Sequence, residues 1–360
     1  MAQELRLVYS PEYILALGKQ IHSVWPAFEV QAFQKSVLMG EWESMALKAR
    51  MRRITETLRD YLPQSYSEAI AILKPVSTHF SGFAAMYFPD FVELYGLEDW
   101  DTSLPALAHF TQYSSSEFAV RPFILQDESR MMAQMSIWSV DENEHVRRLA
   151  SEGCRPRLPW AQALPGFKQD PTAILPILLN LLQDASLYVR KSVANNLNDI
   201  AKDNPDIVVQ WVEQYLGRHK HTDWILKHAS RTLLKQAEPR ILKLFSLGDI
   251  DHIAPVELLL NQSQVHIGEH LPFSFTLKTH SQSLGKLRIE YAIHFVKADA
   301  KQSRKVFKIS ESEFSEKQKS YTRKHSLKQM STRKHYPGEH KIELVLNGEV
   351  VAEQAFDVLA

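Results

Sequence analysis

The chain has 360 residues, enough for about two domains, and its 44% hydrophobic and 23% charged residues are the balance of an ordinary soluble globular protein. Lysine plus arginine and aspartate plus glutamate both number 42, so affinity for a polyanion would have to come from local charge. A single cysteine, Cys154, excludes an intrachain disulfide and a cysteine-rich zinc site. The opening MAQELRLVYS lacks a basic start followed by an apolar core, and no apolar run approaches the roughly 18 residues of a membrane span. The expectation is a cytoplasmic protein with no membrane contact.

From Met1 to about Val76 the pattern is helical. Ser10 is a natural N-cap and Pro11 suits the first helical position ahead of YILALGKQIHSVW. In WESMALKARMRRITETLRDYL, Met45, Leu47, Met51, Ile54 and Leu58 recur near helical spacing, and Pro63 ends the run. Arg50, Arg52 and Arg53 are either solvated helix charges or phosphate contacts.

The middle of the chain repeats in architecture. SLPALAHFTQY is followed by SSSEFAVRPFIL, DESRMMAQMSIW by ENEHVRRLASEG, DPTAILPILLNLL by DASLYVRKSVANNLNDIA, and NPDIVVQWVEQYL by TDWILKHASRTLLKQ. Each pair reads as two helices joined by an Asp/Asn/Ser turn. The second helix carries an apolar residue and then a cation: Val120-Arg121, Val146-Arg147, Val189-Arg190, Leu226-Lys227. The last three cations are 43 and 37 residues apart, close to the roughly 40–47 of HEAT-like pairs. Stacked pairs line a concave face with their second helices, so basic residues there would form a curved track for a phosphate backbone.

Within the repeats, ENEHVRRLASEGCRPRLPW concentrates four arginines around one internal carboxylate, Glu152. A helix from about Glu144 puts Val146, Leu149, Ala150 and Gly153 on one side and His145, Arg148 and Glu152 on the other. His219 and His221 in RHKHTD have no third ligand at suitable spacing, so they read as a basic loop and no metal is expected.

After Ser246-Leu247-Gly248-Asp249 the composition changes. From Pro255 the chain alternates and favours β-branched and aromatic residues, with Pro337-Gly338 and Asn347-Gly348 as turn signals. Six or seven short strands in about 105 residues describe an immunoglobulin-like sandwich without its disulfide. The fold class expected is therefore mainly α: a HEAT-like helical repeat solenoid over 1–247, followed by an all-β immunoglobulin-like sandwich over 255–360. SYTRKHSLKQMSTRKHYPG, inside the sandwich, reads either as a solvated strand and turn or as a loop reaching onto DNA.

The runs EHVRRLASEGCRPRLPWA, SSSEFAVRP, YVRKSVANNLNDIAKDNP and DWILKHASRTLLK resemble the HEAT-like-repeat DNA glycosylases that repair alkylated bases. The AlkC branch is closer than AlkD, since STRKHYPGEHKIELVLNG is similar to the closing strands of the AlkC-type immunoglobulin-like domain. The resemblance implies a monofunctional hydrolase of base excision repair, without metal or organic cofactor, acting on double-stranded DNA as a monomer. Its substrates would be bases methylated at N3, chiefly adenine, with cytosine left open.

Such a base is cationic and leaves readily, so the enzyme must stabilise an oxocarbenium-like sugar and place a water, a task for carboxylates. The resemblance assigns this to Glu117, Glu152 and Asp199. Each also has a plainer reading: Glu117 as a first-turn acid on a helix dipole, Asp199 as a helix-end charge, and Glu152 as the i+4 partner of Arg148. Trp160 is either an aromatic wall against the lesion or a core residue. For DNA contact the expected residues are Arg148, Arg155, Arg157, Trp160, Arg190, Lys191, Trp224, Arg231, Arg333 and Lys334, with Arg155-Pro156-Arg157 as a stiff loop presenting two guanidinium groups. The rival reading is a non-catalytic HEAT scaffold that binds DNA or a protein.

Overall fold

The computed structural model describes residues 5–329 and 334–360. Its helices, in order, are α1 (Pro11–Val24), α2 (Val30–Leu38), α3 (Leu47–Tyr61), α4 (Tyr66–Ser77), α5 (Tyr87–Tyr95), α6 (Trp100–Phe110), α7 (Val120–Gln126), α8 (Glu128–Trp138), α9 (Glu144–Gly153), α10 (Pro165–Gln169), α11 (Leu175–Asn180), α12 (Leu187–Ile200), α13 (Pro205–Tyr215), α14 (Lys220–Ala229), α15 (Arg231–Lys235) and α16 (Pro239–Leu244). Eight strands follow among the described residues. The chain forms two compact units, one running to Ala229 and one starting at Ser230; the second also takes in Val212–Gln214. No helix among the described residues is long and apolar enough to cross a membrane.

Local chemistry explains where the helices begin. Ser10 accepts from the Tyr13 amide at 3.3 Å with Pro11 at the first helical position. Asp99, Asp127 and Asn143 cap α6, α8 and α9 with their side chains, the turn residues satisfying the first orphan amides. Within the first unit α9 packs on α8 and α12, and α12 packs on α14, as expected for stacked helical pairs. Val146, Leu149, Ala150 and Gly153 face the core, as their spacing requires.

Two sequence expectations shift. SSSEFAVRPFIL becomes helical only at Val120, so Glu117 lies in the turn ahead of α7 and not in a helical first turn. The serines hold that turn open: Ser114 donates to the Gly82 carbonyl and Ser116 to the Leu107 carbonyl, both at 2.9 Å. The N-terminal arginines Arg50 and Arg52 are engaged internally. Arg50 is 2% exposed and lies 4.7 Å over the Trp42 ring, while Arg52 pairs with Asp90 at 2.9 Å and Glu93 at 3.2 Å.

In the second unit, β1 (Leu258–Leu260), β3 (His270–Lys278) and β6 (Gln318–Ser326) form one sheet. The other sheet has the order β2-β8-β7-β4-β5, from β2 (Gln264–His266), β4 (Gly285–Val296), β5 (Gln302–Phe314), β7 (Gly338–Leu346) and β8 (Glu349–Leu359). Leu271, Phe273, Phe275 and Leu277 alternate inward along β3 and meet Leu287, Ile289, Ile293, Leu344 and Leu346. The first part of the basic stretch, 320–326, is strand: β6 pairs along its whole length with β3. Arg333 lies outside the described residues, and Lys334 is exposed.

The β7–β8 turn is the Asn-Gly hairpin expected, with φ of 44° at Asn347 and 90° at Gly348. Asn347 Oδ1 accepts from the Arg288 amide at 2.8 Å and Nδ2 donates to the Gly248 carbonyl at 3.0 Å. A Cβ on Gly348 would meet Ala237 Cβ at 2.7 Å and Leu242 Cδ1 at 3.0 Å, whereas one on Gly268 (φ 102°) meets nothing. Gly268→Ala should therefore lose only the backbone term of about 1–2 kcal/mol. Gly348→Ala should lose roughly a further 1–3 kcal/mol from overpacking, read as a larger fall in denaturation midpoint. Cys154 is fully buried and burial pushes its thiol up to about 12, so native protein at pH 8 should not react with a thiol reagent that titrates it once the chain is unfolded.

Candidate active site

Opposite charges alternate from the turn before α7 to the end of α12. Glu117 Oε2 accepts from Ser115 Oγ at 2.7 Å and from Arg148 at 2.9 Å. Arg148 also reaches Glu152 at 3.6 Å and lies 4.6 Å over the Tyr188 ring. Glu152 Oε1 accepts from Arg155 at 2.6 Å, and its Oε2 accepts from Ser192 Oγ at 2.6 Å. Arg155 then donates to Asp199 Oδ2 through Nε at 2.9 Å and a terminal nitrogen at 2.8 Å. Lys202 closes the series on Asp199 Oδ1 at 2.9 Å. Burial works against the charge on Arg148 and Arg155, but the carboxylates beside them outweigh it and hold both guanidinium groups above their ordinary range. Both therefore stay cationic, and the carboxylates are fixed by charge-assisted bonds in a low-dielectric wall.

The loop after α9 is placed by Arg121, which is fully buried. Its Nη1 donates to the carbonyls of Gly153 and Arg155, both at 2.9 Å, and its Nε to that of Gln162 at 2.5 Å. Gly153 permits this approach, because a Cβ there would lie 2.5 Å from Val120 Cγ2. At the loop's far end Trp160 is 65% exposed with φ 66°; its carbonyl accepts from Lys48 Nζ at 2.7 Å and its ring meets Phe83 edge-on at 6.2 Å.

These elements border an open cleft of about 600 Å³, within the range of small-molecule sites. Glu117, Glu152, Arg148, Arg155, Trp160, Phe83, Tyr188 and His145 line it, and among the described residues no lysine does. The polar face of α9 thus looks into the cleft. Among the described residues no cluster of His, Cys, Asp or Glu is arranged to hold a metal ion.

The structure brings together Glu117, Glu152, Arg148, Arg155 and Trp160. Asp199 does not line the cleft; it sits behind Arg155 at 2% exposure. The expected outward pair of cations at Arg155 and Arg157 is absent in that form: Arg155 is buried between carboxylates, and Arg157 is paired through two bonds with Asp203 at 2.6 and 3.0 Å. Arg190 donates to the carbonyls of Asp184 and Ala185 at 2.7 Å, and Arg147, 43 residues earlier, does the same to Asp141 and Glu142 at 2.9 Å. At these two positions the repeated cation is a loop clasp.

Lys191 is exposed, Trp224 stacks on His228 at 5.3 Å, and Arg231 is half-buried at the start of α15. Sequence reasoning missed Arg121, Ser192, Phe83, Tyr188 and Lys48. The Val-Arg pattern contained Arg121, but nothing local told it apart from the clasps.

Residues 47–233 match the family model described as DNA alkylation repair enzyme. Residues 255–360 match the one described as uncharacterised protein YhaZ, C-terminal Ig-like domain. The chain is 49% identical over 356 residues, 99% of each sequence, to the uncharacterized protein YhaZ of Bacillus subtilis (strain 168). Its structure is similar to that of Pseudomonas fluorescens alkylpurine DNA glycosylase AlkC bound to DNA containing an abasic site analog. That similarity has a TM-score of 0.93 and 37% identity, with 99% of each chain covered. On these matches and the helical repeats that precede its Ig-like domain, the chain belongs to the DNA alkylation repair enzyme family and is of the AlkC type.

Proposed function

We propose that the chain is a monofunctional DNA glycosylase that hydrolyses the N-glycosidic bond of cationic N3-alkylated bases, chiefly 3-methyladenine, in double-stranded DNA. The observation that carries this reading is the pair of carboxylates, Glu117 and Glu152, held by arginines on the wall of an open cleft beside an exposed tryptophan.

The base already carries the positive charge, so it departs with the bonding electrons as a neutral molecule and needs no protonation. Positive charge then develops on the sugar, where two fixed carboxylates stabilise it without reorganising. Water adds at C1′ and its proton passes to a carboxylate. Glu117 suits that last role, because among the described residues its Oε1 accepts no hydrogen bond while both oxygens of Glu152 are engaged. Asp199 acts through Arg155, keeping that guanidinium against Glu152. The lack of a lining lysine supports water over an amine as the nucleophile. Trp160 offers the aromatic wall.

Incubating the protein with DNA carrying 3-methyladenine should release free base and leave an abasic site; release no faster than the spontaneous rate would leave the scaffold reading standing. Glu117→Gln and Glu152→Gln should each slow release by about 10²–10³-fold while DNA affinity changes little. Asp199→Asn should slow it as well, and a parallel loss of affinity in all three would mean a structural role. Lys191 is the exposed cation of α12, so Lys191→Ala should reduce the salt slope of DNA binding by roughly one. Arg190→Ala should instead lower thermal stability, since it removes a loop clasp.

A further inference from the structure

Trp160 has a left-handed backbone although it is neither glycine nor asparagine, and its side chain is largely in solvent. Such a conformation costs roughly 1–3 kcal/mol and persists only where the surroundings over-determine it. The indole meets Phe83 edge-on and is otherwise largely in solvent. The constraint comes through the main chain. Arg121 holds the loop by three carbonyls, of Gly153, Arg155 and Gln162, leaving residue 160 between its anchors. There the Trp160 carbonyl is taken by Lys48, a residue of α3 that is 112 positions away in sequence. The ammonium is itself fixed, 4.9 Å over the Phe118 ring. Lys48 and Trp160 also share the wall of a small cavity of about 80 Å³ behind the loop, together with Asp90, whose Oδ2 is buried without a partner.

We propose that Lys48 is a positioning residue of the cleft. By holding the Trp160 carbonyl it fixes the left-handed turn and so sets where the indole stands against the damaged nucleotide. The inference rests on the glycosylase reading for its use, but the strap itself is a property of the free protein. A lysine at this position could otherwise serve as an ordinary phosphate contact, and the two roles separate experimentally.

Lys48→Met keeps the aliphatic stem over Phe118 and removes the donor; Lys48→Arg keeps a cationic donor. In the free protein, amide exchange at Leu158, Trp160, Ala161 and Gln162 should rise in Lys48→Met, stay near wild type in Lys48→Arg, and be unchanged elsewhere, which also verifies folding. Identical exchange in all three proteins would overturn the strap. On damaged DNA, Lys48→Met should lower kcat roughly fivefold with affinity for undamaged DNA nearly unaltered. In a Trp160→Ala background the same substitution should have no further effect on kcat, because the residue it acts through is gone. An equal loss in both backgrounds, or a loss confined to affinity with a shallower salt slope, would make Lys48 a phosphate contact and overturn the proposal. If the wild type releases no base, the glycosylase reading fails while the exchange measurement still decides the strap.

Discussion

Arg155 lies between Glu152 at 2.6 Å and Asp199 at 2.8 Å, and most of the site's geometry depends on that bridge. It joins the end of α9 to the end of α12, so the helix pair and the cleft wall are fixed by the same interaction. Buried ion pairs contribute little net stability, because desolvation opposes the Coulomb gain. Their effect here is geometric: removing any member leaves an uncompensated charge behind the wall. Ser192 and Ser151 extend the network sideways, their hydroxyls 2.9 Å apart between the two helices. A carboxylate held on both oxygens in this way resists rotation, which suits stabilising a cation that forms only transiently.

Much of this was legible in the sequence, for identifiable reasons. The α9 register followed from the spacing of Val146, Leu149, Ala150 and Gly153, which only one helical face can bury. The Asn347-Gly348 turn was legible because few residue pairs tolerate two positive φ angles. The placement of Glu117 in a turn was not, since it depends on serines bonding to carbonyls that are distant in sequence.

The arginines show the same limit more sharply. The 43-residue interval between Arg147 and Arg190 was visible and correctly marked a repeat, but nothing local showed that both guanidinium groups are tied to main-chain carbonyls. Each guanidinium satisfies carbonyls of its own preceding turn. Sequence reports that a cation is present. What engages it is decided by acceptors contributed from other repeats, such as Asp203 for Arg157 and Asp184 for Arg147.

Among the described residues no lysine lines the cleft, which bears on the product of the proposed reaction. An abasic sugar opens to an aldehyde, and an amine in the wall would capture it as an imine and prepare the strand for scission. This wall offers guanidinium groups, carboxylates and aromatic rings, none of which makes that bond. In the proposed glycosylase reading, such a lining would leave the DNA backbone whole and the aldehyde of the abasic sugar uncaptured.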